Sequence, residues 1–153
     1  MVHAESSRDG VYSHGLNRVL RFVQYVKDGL VSLDGKPELV KGKGVMENYD
    51  GNLGIGIINA KFAMNRVTEL AETLGIGIVA LRNTTHWMRG GSYALEAAEK
   101  GYIGICWTKT ESCMPAWGGK SQSIGNNPLC MGIPDKEGNV LLDMAMSQFS
   151  YKA

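Results

Sequence analysis

From His14 to Lys27, apolar residues fall at Leu16, Val19, Leu20, Val23 and Val26. This spacing predicts an amphipathic helix, with Gly29 placed to end it. SLDGKPEL then reads as a loop, and ELVKGKGVMENYDG as two small strands around Gly42 and Gly44. In NAKFAMNRVTELAETLG, Ala63, Val67, Leu70 and Leu74 line one face of a second helix, and Gly75 sits where a left-handed C-terminal cap is expected. IGIVALRN directly after it reads as a buried strand. SYALEAAEKG predicts a third helix, with Ser92 as its N-cap and Gly101 at its other end, leading into a strand in YIGICWTK. PLCMGIP and NVLLDMAMS read as two more strands joined by the turn-rich DKEG, and QFSYKA ends the chain without a closing element. Helix, glycine, strand, loop, helix, glycine, strand is an α/β signature.

A length of 153 residues suits one domain with a real core. With 16 basic against 15 acidic side chains, a net charge of +1 does not direct the chain to nucleic acid or a membrane surface. No apolar run approaches the roughly 18 residues of a spanning helix. MVHAESSRDG is not a signal peptide, so a soluble, cytoplasmic protein is expected. The 20 glycines lie scattered through apolar segments, which suits tight turns and close backbone approach. Cys106, Cys113 and Cys130 are odd in number and lack zinc-site spacing, so they read as packing residues, and no metal site is expected.

Two glycine motifs resemble a dinucleotide fingerprint only in letters. GIGIVA (75–80) has a helix before it and a strand after it, the reverse of what a helix N-terminus facing a pyrophosphate requires. GIGIIN (54–59) precedes a helix but lacks the third small residue.

The chain has three histidines. His14 and Arg18, four residues apart, would share one helical face, with Ser13 just before the helix as a cap or a ligand contact. A guanidinium can grip a carboxylate in bidentate fashion, and an imidazole can exchange a proton with an adjacent carbonyl oxygen, so the trio suits a 2-oxo or 2-hydroxy acid. The bland alternative is a surface helix start with an incidental His and Arg. His86 lies in RNTTHWMRGGSY, after a strand, where α/β proteins place ligand groups; the alternative is a loop anchored by Trp87. MPAWGGKSQSIGNNP is a long polar, glycine-rich segment offering Lys120, Asn126 and Asn127 to a ligand before Pro128 starts a strand.

GVYSHGLNR, ALRNTTHWMRGGSYALEAAEKGYIGICWT, PAWGGKSQSIGNNPL and LDMAMSQFSY together resemble the malate/L-lactate dehydrogenase family that lies outside the Rossmann fold, in order from about Glu5 to Tyr151. VYSHG and HWMRGGSY bring it nearest the sugar-acid reductases of that family. The resemblance implies a mixed-sheet α/β fold, here a single partial domain incomplete at both ends. It implies reduction of a 2-oxo acid by NADH, with NADPH as the alternative, and working as a homodimer. The favoured substrate is a small-molecule 2-oxo sugar acid of the 2,3-diketogulonate type. His14 matches the family's catalytic proton donor, and Ser13, Arg18 and His86 match its substrate pocket. Lys120, Asn127 and Pro128, with the strand Asn139, Val140, Leu141, Leu142, Asp143, Met144 and Ala145, match its cofactor-binding stretches. Asn126 stands where the family's GTNP has threonine. Family chains are about twice as long, with a further N-terminal helical segment and a C-terminal half that would pair with this chain. Three alternatives stand beside this reading: an inactive fragment serving only in assembly, a malate- or lactate-type dehydrogenase, and a metal-dependent hydrolase using His14 and His86.

Overall fold

The computed structural model describes residues 2–147, so QFSYKA (148–153) lies outside the described residues. Among these, residues 2–89 form one compact unit and residues 90–147 another.

The first unit opens with a short helix that the apolar pattern does not announce, α1 (Val2–Arg8). The helix expected from His14 begins later. Two 3-10 turns, Tyr12–His14 and Leu16–Arg18, precede α2 (Val19–Lys27). The interruption is Gly15, which lies so close to α1 that a Cβ there would collide with Ser7 Oγ. That hydroxyl instead accepts the Leu16 N–H at 3.0 Å. His14 and Arg18 therefore do not ride one helical face, and Ser13 is not a helix cap but part of the first 3-10 turn. The apolar positions Leu16, Val19, Leu20 and Val23 are exposed.

β1 (Glu38–Lys43) and β2 (Met46–Asp50) are the two small strands expected, and they pair antiparallel as a hairpin. β3 (Ile78–Arg82) runs parallel to β2, from Met46 opposite Ile78 to Asp50 opposite Arg82. The crossover between them is α3 (Gly56–Leu74), ended by Gly75 in the left-handed conformation at φ 81°. On α3, Asn59, Ala60, Met64 and Leu70 are buried, whereas Leu74, expected on the core face, is exposed at the helix end. β3 is not the fully buried strand its apolar run suggested: Ile78, Ala80 and Arg82 are exposed, and Val79 and Leu81 half-buried. A polar junction ties α3 to β2. Glu47 accepts 2.7 Å bonds from Arg66 Nε and Nη2 and another of 2.7 Å from the Tyr49 hydroxyl. The Phe62 ring meets Tyr49 edge-on at 5.0 Å. Arg66 holds the Glu47 carboxyl down from its ordinary 4.5 to about 2, helped by the Tyr49 hydroxyl.

In the second unit, α4 (Gly91–Glu99) packs on a three-stranded antiparallel sheet ordered β4 (Gly104–Trp107), β7 (Pro128–Ile133), β8 (Val140–Ala145). β7 and β8 are the hairpin expected around DKEG. The helix side carries small residues: a Cβ on Gly132 would collide with the Ala94 carbonyl, and one on Gly104 would lie 2.6 Å from Ala97 Cβ. Cys106 and Cys130 sit opposite each other on this side, both buried, and Cys113 is half-buried; none of the three forms a disulfide. Burial pushes the Cys106 thiol up to about 12, so it packs and does not attack. Ser92 falls inside α4 and does not cap it. The first helical N–H, from Gly91, is taken at 3.0 Å by Asp143 of β8. The other sheet face is apolar in every register row: Ile105, Met131 and Leu142; Trp107, Leu129 and Met144; Ile133 and Val140. Between β4 and β7, β5 (Met114–Pro115) and β6 (Gln122–Ile124) form a small hairpin.

Candidate functional site

The first unit brings Ser13, His14, Arg18 and His86 together, though not by the route the spacing suggested. With Gly15 breaking the helix, Arg18 folds back and its Nε donates to the Ser13 carbonyl at 2.6 Å. Ser13 Oγ lies 2.9 Å from His14 Nδ1, fixing that side of the ring. The His14 and His86 rings face each other at 5.7 Å between centroids, tilted by 40°.

The loop that carries His86 is fixed mainly through its neighbours Thr84, Thr85, Met88 and Arg89. Gly56, at the start of α3, lies where any side chain would collide with the Thr85 and His86 carbonyls. Its N–H donates to Thr85 Oγ1 at 2.9 Å, and that hydroxyl donates to the Gly54 carbonyl at 2.9 Å. Of the glycines of GIGIIN, Gly56 thus serves close packing against this loop, and Gly54 close packing against Gly35. Asn59, fully buried, donates to Thr84 Oγ1 and to the Gly51 carbonyl, both at 3.0 Å. Arg89 Nη1 reaches Asp9, just past α1, at 2.7 Å. Met88, held at φ 68°, donates its N–H to His86 Nδ1 at 2.8 Å. A neutral His86 ring therefore carries its proton on Nε2.

Although His86 keeps accessible surface, the protein packed about its ring disfavours the cation. Desolvation first, then the charges of His14, Arg18, Arg21 and His3, lower its pKa from 6.5 to about 4. Every charge in that group is a potential cation, and no carboxylate is among them. All three histidines of the chain thus share one locale. The sequence reading missed His3, whose Nδ1 is buried without a hydrogen-bond partner. It also missed Arg21, although its i,i+3 spacing from Arg18 was visible. Nothing in the local pattern singled out His3.

In the second unit the expected cofactor residues separate into two places. Pro128 opens β7 opposite Ala145, so the GNNP segment adjoins the end of β8. Thr110, also missed, knots that segment. Its hydroxyl donates to Asn126 Oδ1 at 2.7 Å and accepts from the Asn127 N–H at 3.2 Å. Asn127 Oδ1 accepts the Thr110 N–H at 3.0 Å, so its side chain braces the loop, with its own backbone at φ 40°. Asn139, at the far end of β8, accepts the Asp135 N–H at 3.3 Å and closes the hairpin turn. Lys120 lies exposed between β5 and β6. Along β8, Val140, Leu142 and Met144 are exposed on the open face, and Leu141 and Ala145 are half-buried. Asp143 uses one oxygen for the Gly91 N–H and the other for the Cys130 thiol at 3.2 Å. Among the described residues, no group of three or more His, Cys, Asp or Glu is arranged to hold a metal ion, and no helix is long and apolar enough to cross a membrane.

Two facing imidazoles, with a guanidinium folded beside them and no carboxylate among the charges that act on His86, make up this cluster. The chain belongs to the malate/L-lactate dehydrogenase family, whose model matches residues 1–153. It is 51% identical over 148 residues to a 2,3-diketo-L-gulonate reductase of Salmonella paratyphi B, a match covering 97% of this chain and 44% of that protein. The structure superposes on a malate dehydrogenase from Entamoeba histolytica with a TM-score of 0.94 at 32% identity, covering 97% of this chain and 42% of the other. A sulfolactate dehydrogenase from Methanocaldococcus jannaschii gives 0.93 at 31% identity, covering 97% and 43%. The fold is that of these mixed-sheet α/β proteins, and the chain spans less than half the length of the relatives it matches.

Proposed function

We propose that this chain carries the acid-binding and proton-transfer part of a nicotinamide-dependent 2-oxo acid reductase, with 2,3-diketo-L-gulonate reduced to 3-dehydro-L-gulonate as the favoured reaction. The single observation that supports it most is the Ser13–His14–Arg18–His86 cluster, an acid site without an acid of its own. One N–H of Arg18 is spent on the Ser13 carbonyl, which orients the guanidinium and leaves its two terminal nitrogens for a carboxylate. Ser13 holds the His14 ring so that it can protonate the carbonyl oxygen as that oxygen becomes an alkoxide. Neutral His86, with its proton on Nε2, offers that carbonyl a hydrogen bond without competing as an acid.

A nicotinamide cofactor, when bound, would supply the hydride for the carbonyl carbon. The residues of β8 fit such a group: it is an edge strand, so alternate backbone N–H and C=O groups face outward, and Val140, Leu142 and Met144 give an apolar bed. Lys120, Asn127, Pro128 and the stretch Asn139–Ala145 would hold it, with NADH preferred. Three cysteines outside any disulfide suit a reducing cytoplasm.

The test is NADH consumption with 2,3-diketo-L-gulonate, by this chain alone and with a separately produced remainder of a family-length chain. His14→Asn is expected to lower kcat by about 10²- to 10⁴-fold, with little effect on NADH affinity by fluorescence titration. A loss under about threefold would reject His14 as the proton donor, since a positioned acid contributes far more. A second reading, an assembly unit without activity of its own, is favoured by the apolar open face of the β4–β7–β8 sheet, which the remainder of a family-length chain would cover. NADH binding only on mixing the two parts marks a split enzyme, and none in either case marks the assembly unit. Self-association of this chain alone on sizing would favour the homodimer.

A further inference from the structure

The six arginines of the chain divide into two groups. Arg8, Arg66, Arg82 and Arg89 each form an ion pair with a carboxylate: Arg8 and Arg89 with Asp9, Arg66 with Glu47, and Arg82 with Asp50. Arg18 and Arg21 make no ion pair with any described residue; Arg18 folds onto the carbonyl of Ser13, the neighbour of His14, and Arg21 follows it by three residues. Arg18 is half-committed to the Ser13 carbonyl. The exposed Arg21 side chain has neither a hydrogen bond nor an ion pair among the described residues. Arg18 immediately precedes α2 and Arg21 lies in its first turn, so the two leave the helix on the same flank, about 5–6 Å apart at Cβ.

Two guanidiniums without a carboxylate partner stand close together here. One planar fork suffices to fix a carboxylate in orientation, so the second guanidinium is available to another acceptor on the same ligand.

We propose that Arg21 is a second substrate anchor: Arg18 takes the carboxylate, and Arg21 takes an acceptor oxygen further along the same molecule. The site is then built for 2-oxo acids with an oxygen-bearing chain beyond the carbonyl and selects against short alkyl ones. This rests on the reductase reading above and adds the substrate's far end to it.

The probes are pyruvate, which has no distal oxygen, 2-oxoglutarate, with a distal carboxylate, and 2-oxogluconate, with distal hydroxyls. Each is titrated into the 153-residue protein while the His14 and His86 ring resonances are followed by NMR. At least one of the two longer acids is expected to bind about tenfold or more tightly than pyruvate, the scale of one charge-assisted hydrogen bond. A gain for 2-oxoglutarate alone identifies a second carboxylate as the partner, and a gain for both identifies any acceptor oxygen. In Arg21→Ala the affinity ratio of long to short acid should collapse toward one, and Arg21→Lys should keep part of it. Equal binding of all three acids, or a ratio that survives Arg21→Ala, overturns the role of Arg21 and leaves the reductase reading standing. If no acid shifts either imidazole, both fall.

Discussion

The Glu47–Arg66 junction gives a quantity that can be worked out before it is measured. Glu47 accepts three bonds of 2.7 Å. Its carboxyl titrates near 2 where an ordinary glutamate titrates at 4.5. That gap of about 2.5 pH units corresponds to ~3.4 kcal/mol at 1.36 kcal/mol per unit, which is a ceiling. Solvent reaches Arg66, whose side chain is 34% exposed, so screening reduces the expected value to about 1.5–2 kcal/mol. The sign follows from the direction of the shift. A depressed carboxyl stabilises the fold above pH 4.5, and the contribution fades as pH falls toward 2. Urea unfolding followed by far-UV circular dichroism, for wild type and Glu47→Gln, should differ by about 2 kcal/mol at pH 7 and by much less at pH 2.5. Asp9 and Asp50, also held down by arginines or hydrogen bonds, act alike in both proteins and cancel in the difference. A difference that stays the same from pH 7 to pH 2.5 would refute the reasoning, because the variant would then be losing packing, not charge.

Two further expectations concern the loop that carries His86. Its imidazole should titrate near pH 4 by NMR, with nitrogen shifts of the Nε2–H tautomer at pH 7; a midpoint above 6 would contradict the desolvated cationic setting. Gly56→Ala should destabilise the chain by more than about 2 kcal/mol in urea, because the new methyl meets backbone carbonyls that cannot rotate away. A neutral effect would mean that the start of α3 does not fix this loop.

The helices and strands were legible where their cause is local. α3 ends where Gly75 supplies a left-handed turn, and the β7–β8 hairpin follows from two apolar runs around DKEG. The errors have distant causes. The break before α2 comes from Ser7, which occupies the space a side chain on residue 15 would need. The cap of α4 comes from Asp143, 52 residues beyond Gly91, and so Ser92 was the wrong choice. For the site, SHG and the following arginine supplied His14 and Arg18, and the loop after β3 supplied His86. The cluster's positive balance was not readable, because it depends on which arginines find carboxylates, and those partners come from β2 and from the turn after α1.

The seam between α4 and its sheet has a genetic consequence. An overlarge residue in a protein interior is commonly rescued by shrinking whatever it strikes. A methyl at Gly132 would strike the carbonyl carbon and oxygen of Ala94, atoms that every amino acid has. No second mutation at residue 94 can make room there, so a suppressor would have to lift the whole helix off the strands.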